Sequence, residues 1–286
     1  MIDGNMNLTS VQALYRRSTE HVRGEFASNV GQAADHYRRY VHFVLQHVPA
    51  RPIRILDVGC GNGWSTWLLR QEGLDACGMD LHAGPLEAQE VDPGIPYVSA
   101  DLQRLPFDNS SFTAVAMYQV LEHVPDSRRA LAECLRVLEP GGRLIVVGPH
   151  LLSVGLALHY VLKETVRALK SGGRWKRRGP ETPFHPFGNT LPETYTHLIH
   201  HSRHTIRKLM GETPVTFLMR QPDLKPPFHA DNDACYFCNP MDLVDWARQT
   251  PGVKPIRWWA VDRRGSRVLW PFSGGTWVVL EKTDPG

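Results

Sequence analysis

Residues 55–65 read Ile55-Leu56-Asp57-Val58-Gly59-Cys60-Gly61-Asn62-Gly63-Trp64-Ser65. A short apolar run ends at an acidic residue, three glycines alternate at 59, 61 and 63, and a helical pattern (Trp67, Leu68, Leu69) follows at once. This order predicts a buried strand, a tight turn and a helix N-terminus. Glycine carries no Cβ, so such a turn lets the backbone approach a ligand, with the helix N–H groups turned toward it. A plain glycine turn in any α/β protein would look the same in isolation, so the spacing downstream has to discriminate.

Two rivals fail on the glycines themselves. A dinucleotide fingerprint needs its third glycine five residues after the first, where this chain has Trp64. A triphosphate loop needs Gly-Lys-Ser/Thr at its end, which is missing here. Further along stands Gly78-Met79-Asp80-Leu81, with Asp80 about twenty residues past Gly59, the separation that brings a carboxylate to the tip of a second parallel strand, within reach of ribose hydroxyls. A helix-capping Asp is the bland alternative. Next come Val98-Ser99-Ala100-Asp101-Leu102, an Asp108-Asn109-Ser110-Ser111 turn, an apolar strand from Phe112 to Met117, and Tyr118-Gln119-Val120-Leu121-Glu122-His123-Val124-Pro125-Asp126. A helix is expected from about 126 to 138, stopping at Pro140-Gly141-Gly142 before a strand from Arg143 to Val147.

In this order the motifs LDVGCGNG, GMD, ADLQRLPF, YQVLEHVPD and LRVLEPGGRLIVV resemble the class I methyltransferases that use S-adenosylmethionine, in their small-molecule branch; the likeness covers roughly residues 50–148. The resemblance implies a seven-stranded, mostly parallel sheet with helices on both faces, a Rossmann-like α/β fold whose final strand runs antiparallel. It also implies a cofactor site. The loop of Asp57, Gly59, Cys60 and Gly61 lies along methionine and ribose, Asp80 with Leu81 holds the ribose hydroxyls, Asp101 and Leu102 address adenine, and Gln119 faces the methionine end. The cofactor is S-adenosyl-L-methionine, the product S-adenosyl-L-homocysteine, and no metal is required.

The bulk properties agree with a soluble enzyme. The chain has 286 residues, 42% of them hydrophobic, a net charge of +3 and five cysteines. That charge is too balanced for a nucleic-acid binder, and Tyr118-Gln119-Val120-Leu121 stands where a nucleic-acid methylase carries an Asn/Asp-Pro-Pro-Tyr motif. An odd, scattered set of cysteines and no basic-then-apolar leader lead us to expect a cytoplasmic location. Cys235-x-x-Cys238 lacks a second pair, so a zinc or redox role is not favoured.

Four parts are expected: an N-terminal helical lid (1–50), a cofactor-binding α/β core (51–148), a substrate-recognition insertion after the fifth strand (149–238), and the C-terminal part of the core (239–286). The lid carries helical patterns at about 9–27 and 31–48, and its Tyr15, Tyr37 and Tyr40 either line the pocket or, as periodicity favours, pack against the sheet. In the last part Asn239-Pro240 starts a helix, Ile256–Val261 reads as one strand and Thr276–Glu281 as the last. An insertion after the fifth strand overhangs the carboxyl edge where ligands bind. It opens with a helix from Leu151 to Leu169 followed by Lys170, Arg174, Lys176, Arg177 and Arg178. This segment is either a packed helix with a solvated basic loop, which could attract an acidic acceptor, or a membrane-surface helix with a polybasic flank. His197, His200, His201 and His204 share one helical face, but no H-E-x-x-H accompanies them and a metal is not assigned. Phe184–Asn189 precedes these histidines, and Phe228–Asp233 is a polar cluster that either contacts substrate or forms a turn with Asx hydrogen bonds.

Methyl transfer needs in-line approach of the acceptor and, for a hydroxyl, a base. His123, just past the fourth strand, is the first candidate because an ordinary imidazole titrates near neutral pH; His150, His185 and His229 are others. His123 equally well only shapes the pocket. The expected function is methyl transfer from S-adenosylmethionine to a small-molecule or glycan acceptor, more readily on oxygen. The alternatives are a membrane-associated enzyme acting on a lipid or lipid-linked sugar, and a non-catalytic cofactor-binding partner of another protein. No nucleic-acid partner is expected, and the sequence leaves the oligomeric state open.

Overall fold

The computed structural model describes residues 30–50, 52–81, 86–150, 153–170, 191–211, 217, 234–236, 238–258, 260–261, 267–268 and 275–284. The expected helix at 9–27 with Tyr15, the basic stretch 171–178 and the segments 184–189 and 228–233 lie outside these residues.

Helix α1 (Val30–His47) leads into β1 (Arg54–Val58), α2 (Trp64–Gln71), β2 (Asp75–Asp80), β3 (Tyr97–Ser99) and β4 (Phe112–Tyr118). Then follow α3 (Ser127–Val137), β5 (Leu138–Pro149), α4 (Val154–Lys170), α5 (Leu191–Leu209), α6 (Pro240–Gln249), β6 (Val253–Arg257), β7 (Ala260–Val261), β8 (Arg267–Val268) and β9 (Gly275–Lys282). Seven strands form one sheet in the order β3-β2-β1-β4-β5-β9-β6. Strands β1 to β5 pair in parallel, and β9 runs antiparallel to both β5 and β6, as the resemblance implies.

Both faces of the sheet are covered, and the strands show it by alternation. Leu56, Val115, Met117, Leu144, Val146, Val278 and Leu280 point into one core with Leu131, Cys134, Leu243 and Trp246 of α3 and α6. Ile55, Ala114, Ala116, Ile145, Val147 and Val279 point into the other, with Tyr40, Phe43 and Val44 of α1 and Leu69 of α2. A period of two with apolar residues at both phases produces the continuous hydrophobic runs of a sheet buried on both sides.

Two expected boundaries move. The Pro140-Gly141-Gly142 segment lies inside β5, which begins at Leu138 directly after α3; the pairing with β4 shifts register between Phe112 and Ala114, and Gly141 takes φ +72°. A bulge absorbs glycine and proline that otherwise signal a stop. The single strand expected at Ile256–Val261 is two: β6 ends at Arg257, after a register shift against β9 at Pro255, while β7 pairs with β8 as a separate ribbon. Pro255 donates no ladder hydrogen bond, which its place on the edge strand tolerates.

Two helices are capped by side chains at their N-termini, the second as expected. Asp126 accepts from the Arg129 N–H at the start of α3, and Asn239 accepts from the Met241 N–H ahead of Pro240 in α6. The insertion helices α4 and α5 pack against each other. Lys208 near the end of α5 sends its Nζ to Asp242 (2.7 Å) and Asp245 (3.1 Å) of α6, with the Lys208 and Asp242 side chains fully buried. Tyr236 adds a hydroxyl bond to Asp242 at 3.2 Å.

Candidate functional site

The three glycines of the loop after β1 all have positive φ, at +68°, +54° and +86° for Gly59, Gly61 and Gly63. Their reasons differ. A Cβ on Gly59 would stand 2.2 Å from Val120 Cγ2, and one on Gly63 2.7 Å from Leu86 Cδ1, so both positions are closed by packing. A Cβ on Gly61 would meet nothing within 4 Å. Gly61 therefore turns its bare α-carbon toward open space at the carboxyl edge of the sheet, where a ligand approaches. The loop is held from below: the N–H groups of Gly59 and Cys60 donate to the Met79 carbonyl at 2.7 and 3.2 Å.

Asp80, at the tip of β2, accepts from the Gly61 N–H at 2.8 Å, so the acidic residue and the open glycine meet as the spacing predicts. Leu81 follows, its carbonyl accepting from the Ser99 hydroxyl at 3.5 Å. The exit of β3 is tied in by the Ala100 N–H, which donates to the Asp80 carbonyl at 2.9 Å. Asp101 folds into an Asx turn, accepting from the Gln103 N–H at 2.9 Å, and Leu102 beside it is buried.

Asp57 is brought to the loop but faces inward. Its Oδ1 accepts from the Tyr40 hydroxyl (2.8 Å), its Oδ2 from Ser65 (2.6 Å) and Thr66 (2.7 Å), and it is 1% exposed. Burial raises its pKa from the ordinary carboxylate value, and the three hydroxyl donors oppose that rise. In this arrangement Asp57 ties α1 and the first turn of α2 to β1. Cys60 is a buried thiol pushed far up by desolvation and by the Asp80 and Asp57 charges, so it is a neutral wall, not a nucleophile.

At the end of β4, Gln119 holds φ +58°, a left-handed conformation unusual for a side-chain-bearing residue, with its N–H donating to the Val147 carbonyl at 2.8 Å. Such strain costs on the order of 1–3 kcal/mol and gathers at functional positions. Beside it the Tyr118 ring meets Tyr37 (5.6 Å), His36 (5.8 Å) and Tyr40 (5.2 Å), all from α1. Burial, then the Asp57 charge, raises the Tyr37 phenol, and burial lowers the His36 imidazole. Tyr40 is a core residue with no exposure, as periodicity favours, while Tyr37 contributes to an aromatic wall above the sheet edge.

His123 sits in the helical turn Leu121–His123 that follows β4; its side chain is 18% exposed and its Nε2 lies 3.9 Å from Glu122 Oε1. Glu122 is 1% exposed. A Cβ built on Gly148 would lie 3.5 Å from its other carboxyl oxygen, and the Glu122 carbonyl accepts from the Cys235 and Tyr236 N–H groups at 2.7 and 3.0 Å. The insertion thus returns to the sheet beside His123. No role for Glu122 follows from the sequence, where the only signal is a carboxylate next to a histidine inside an apolar turn. His150 is fully buried just beyond β5. His185 and His229 lie outside the described residues, as do the side chains of His197, His200 and His201; His204 lies half-buried on α5. Among the described residues no group of three metal-ligating side chains occurs. Cys235 and Cys238 are buried and not joined in a disulfide.

Comparison with known proteins gives the following. Residues 56–146 match the family model for a methyltransferase domain. The chain is 39% identical over 111 residues to a demethylmenaquinone methyltransferase of Renibacterium salmoninarum, covering 38% of this chain and 47% of that protein. It is 29% identical over 107 residues to a ubiquinone biosynthesis O-methyltransferase of Coxiella burnetii, covering 36% and 46%. The matched region spans just under half the length of these relatives. Among solved structures, a possible histamine N-methyltransferase of Thermotoga maritima superposes with a TM-score of 0.53 at 15% identity, covering 95% of this chain and 99% of that one. The 1,6-didemethyltoxoflavin-N1-methyltransferase of Burkholderia thailandensis gives 0.51 at 17%, covering 99% and 92%. These two likenesses show the fold.

Proposed function

We propose that the chain, whose residues 56–146 match a methyltransferase domain, is a class I S-adenosylmethionine-dependent enzyme that transfers a methyl group to a hydroxyl oxygen of a small, flat acceptor at the carboxyl edge of its sheet. The observation that carries this reading is the meeting of Asp80 with the open face of Gly61 beyond β1 and β2, with the strained Gln119 following the neighbouring strand β4.

These residues suit the cofactor. Gly61 leaves room for a close approach that any side chain would block, Asp80 offers a carboxylate to ribose hydroxyls, and Asp101 with Leu102 provides a polar edge and an apolar wall for adenine. Gly59 and Cys60 shape the loop, Asp57 holds it from behind, and Leu81 closes one side. Gln119 presents its side chain at the methionine end. The nearby aromatic rings suit a cation. When bound, S-adenosylmethionine supplies an electrophilic methyl on a sulfonium sulfur. Tyr37, Tyr118 and the neutral Cys60 keep the surroundings of that charge apolar, which favours its loss in the transition state. His123 takes the acceptor proton, and the Glu122 carboxylate behind it steadies the imidazolium that results.

The names of the two relatives favour a quinone precursor as acceptor, and a flat ring fits the Tyr37–Tyr118 wall better than a glycan does. Isothermal titration with S-adenosylmethionine and S-adenosylhomocysteine tests the reading. Binding of both, with about 1–3 kcal/mol lost in Asp80→Ala, is expected; a folded protein that takes up neither would refute it.

A further inference from the structure

The insertion carries an exposed surface that neither the sheet nor the cofactor site uses. On α4, Leu158, Leu162, Val166 and Leu169 are all exposed, Leu169 by 74% and Leu162 by 65%. Their spacing of four, four and three residues places them in one stripe along the helix. Lys163 and Lys170 stand exposed beside that stripe. The neighbouring helix α5 repeats the design. Tyr195, Ile199, Ile206 and Met210 are exposed along one stripe, and Arg203 and Arg207 are exposed at its border. Among the described residues of both helices, no exposed position is acidic. The sequence joining the two helices adds Arg174, Lys176, Arg177 and Arg178 around Trp175.

We propose that α4 and α5 dock this protein on an anionic phospholipid surface, with the leucine and isoleucine stripes entering the headgroup–acyl boundary and the lysines and arginines meeting lipid phosphates. Exposed apolar stripes with exposed lysines and arginines along their borders are complementary to such a surface in both respects. Contact between two copies through these faces would oppose cation to cation, which disfavours a second copy as the occupant. Neither helix is long and apolar enough to cross a membrane, so the contact is with the surface. The location gives it a use. Helix α4 starts five residues past the end of β5, after the buried His150, and α5 is clamped to the core by Lys208. A bilayer under these helices therefore lies next to the edge where the acceptor enters. The surface would deliver an acceptor dissolved in lipid, a step that rests on the methyl-transfer reading, whereas the docking itself does not.

Flotation of the full chain with phosphatidylcholine vesicles, with and without phosphatidylglycerol, tests the proposal at about 0.1 M salt, where surface charge is only partly screened. The chain is expected to float with the anionic vesicles only. Leu162→Glu/Ile199→Glu, and separately Lys163→Gln/Lys170→Gln/Arg203→Gln/Arg207→Gln, are each expected to lower partitioning by about tenfold or more. Absence of flotation, or flotation unchanged in both variants, overturns the proposal. So does a concentration-dependent dimer in sedimentation that Leu162→Glu/Ile199→Glu dissolves, without uptake by vesicles, since the face would then belong to a second copy. Titration with S-adenosylhomocysteine on the same preparations reports folding and separates the two readings. A chain that floats without binding the compound refutes methyl transfer alone, and one that binds without floating refutes docking alone.

Discussion

Gly61 and Gly73 share a left-handed backbone, with φ +54° and +82°, and at both a Cβ would meet no protein atom within 4 Å. They differ only in place: Gly61 faces the ligand edge, Gly73 closes the turn after α2. Alanine at either position is expected to cost about 1 kcal/mol of stability from backbone strain. Only Gly61→Ala is expected to abolish S-adenosylhomocysteine uptake by titration, because only there does a methyl group occupy cofactor space. Equal losses of affinity in the two variants would place the cofactor elsewhere. His123→Ala is expected to lower turnover by on the order of a hundredfold and to flatten the acid limb of the rate profile, since a base must be unprotonated to act; a normal rate and profile would leave His123 as a wall. At this scale the sequence is informative where spacing carries the chemistry. Asp80 falls at its strand tip because one strand–helix–strand unit has a fixed length. It is silent where local conformation depends on distant packing. Nothing in Tyr118-Gln119-Val120 announces the positive φ of Gln119, nor does the sequence show that the Asp57 oxygens are taken by Tyr40, Ser65 and Thr66.

Between elements, the contact that matters most for the overhang is the buried pair of Lys208 on α5 and Asp242 on α6. Lys208→Met removes the cation and leaves a carboxylate in the interior, at an expected cost of about 3–5 kcal/mol in urea unfolding. Asp242 also sets a pH dependence. Burial pushes its pKa up to about 6 despite the neighbouring ammonium. A carboxyl whose folded pKa exceeds its unfolded one binds its proton more tightly when folded. Its contribution is therefore fully present below about pH 4 and is lost as the pH rises through about 6. Measured against Asp242→Asn, which has no such titration, the wild-type chain is expected to lose on the order of 1–3 kcal/mol of relative stability between pH 4 and pH 7. A difference that stays flat, or that grows in favour of wild type, would mean that the Lys208 pairing outweighs desolvation. The pair is invisible to sequence reading, because Lys208 and Asp242 look like ordinary solvated charges on amphipathic helices. The elements themselves are legible: periodicity and the Asn239-Pro240 start place the helices. The bulges at Pro140–Gly142 and Pro255 are misread as a stop and overlooked, because proline and glycine mark turns and tolerated strand irregularities alike.

Over the whole molecule, chain order and spatial order diverge. The proposed cofactor edge draws on residues 54–123, the sheet is completed only by β6 and β9, and the insertion lies between the two. Its ends nevertheless meet at one residue: Gly148 approaches the Glu122 carboxylate, and the Cys235 N–H donates to the Glu122 carbonyl. A short linker can therefore span them, and the sheet needs nothing from the insertion to close. Replacing residues 151–233 by about six glycines and serines, an extended reach of roughly 20 Å, is expected to leave a cooperatively folding core. Asp242→Asn must accompany the change, since Lys208 is lost. That core is expected to bind S-adenosylhomocysteine with near-native affinity, to fail to float with anionic vesicles, and to give no turnover with any acceptor that the full chain methylates. Lost cofactor affinity in a folded deletion would show that the insertion forms part of the cofactor site. Retained turnover would show that the acceptor is held by α1 and the sheet edge alone, through Tyr37, Tyr118 and His36.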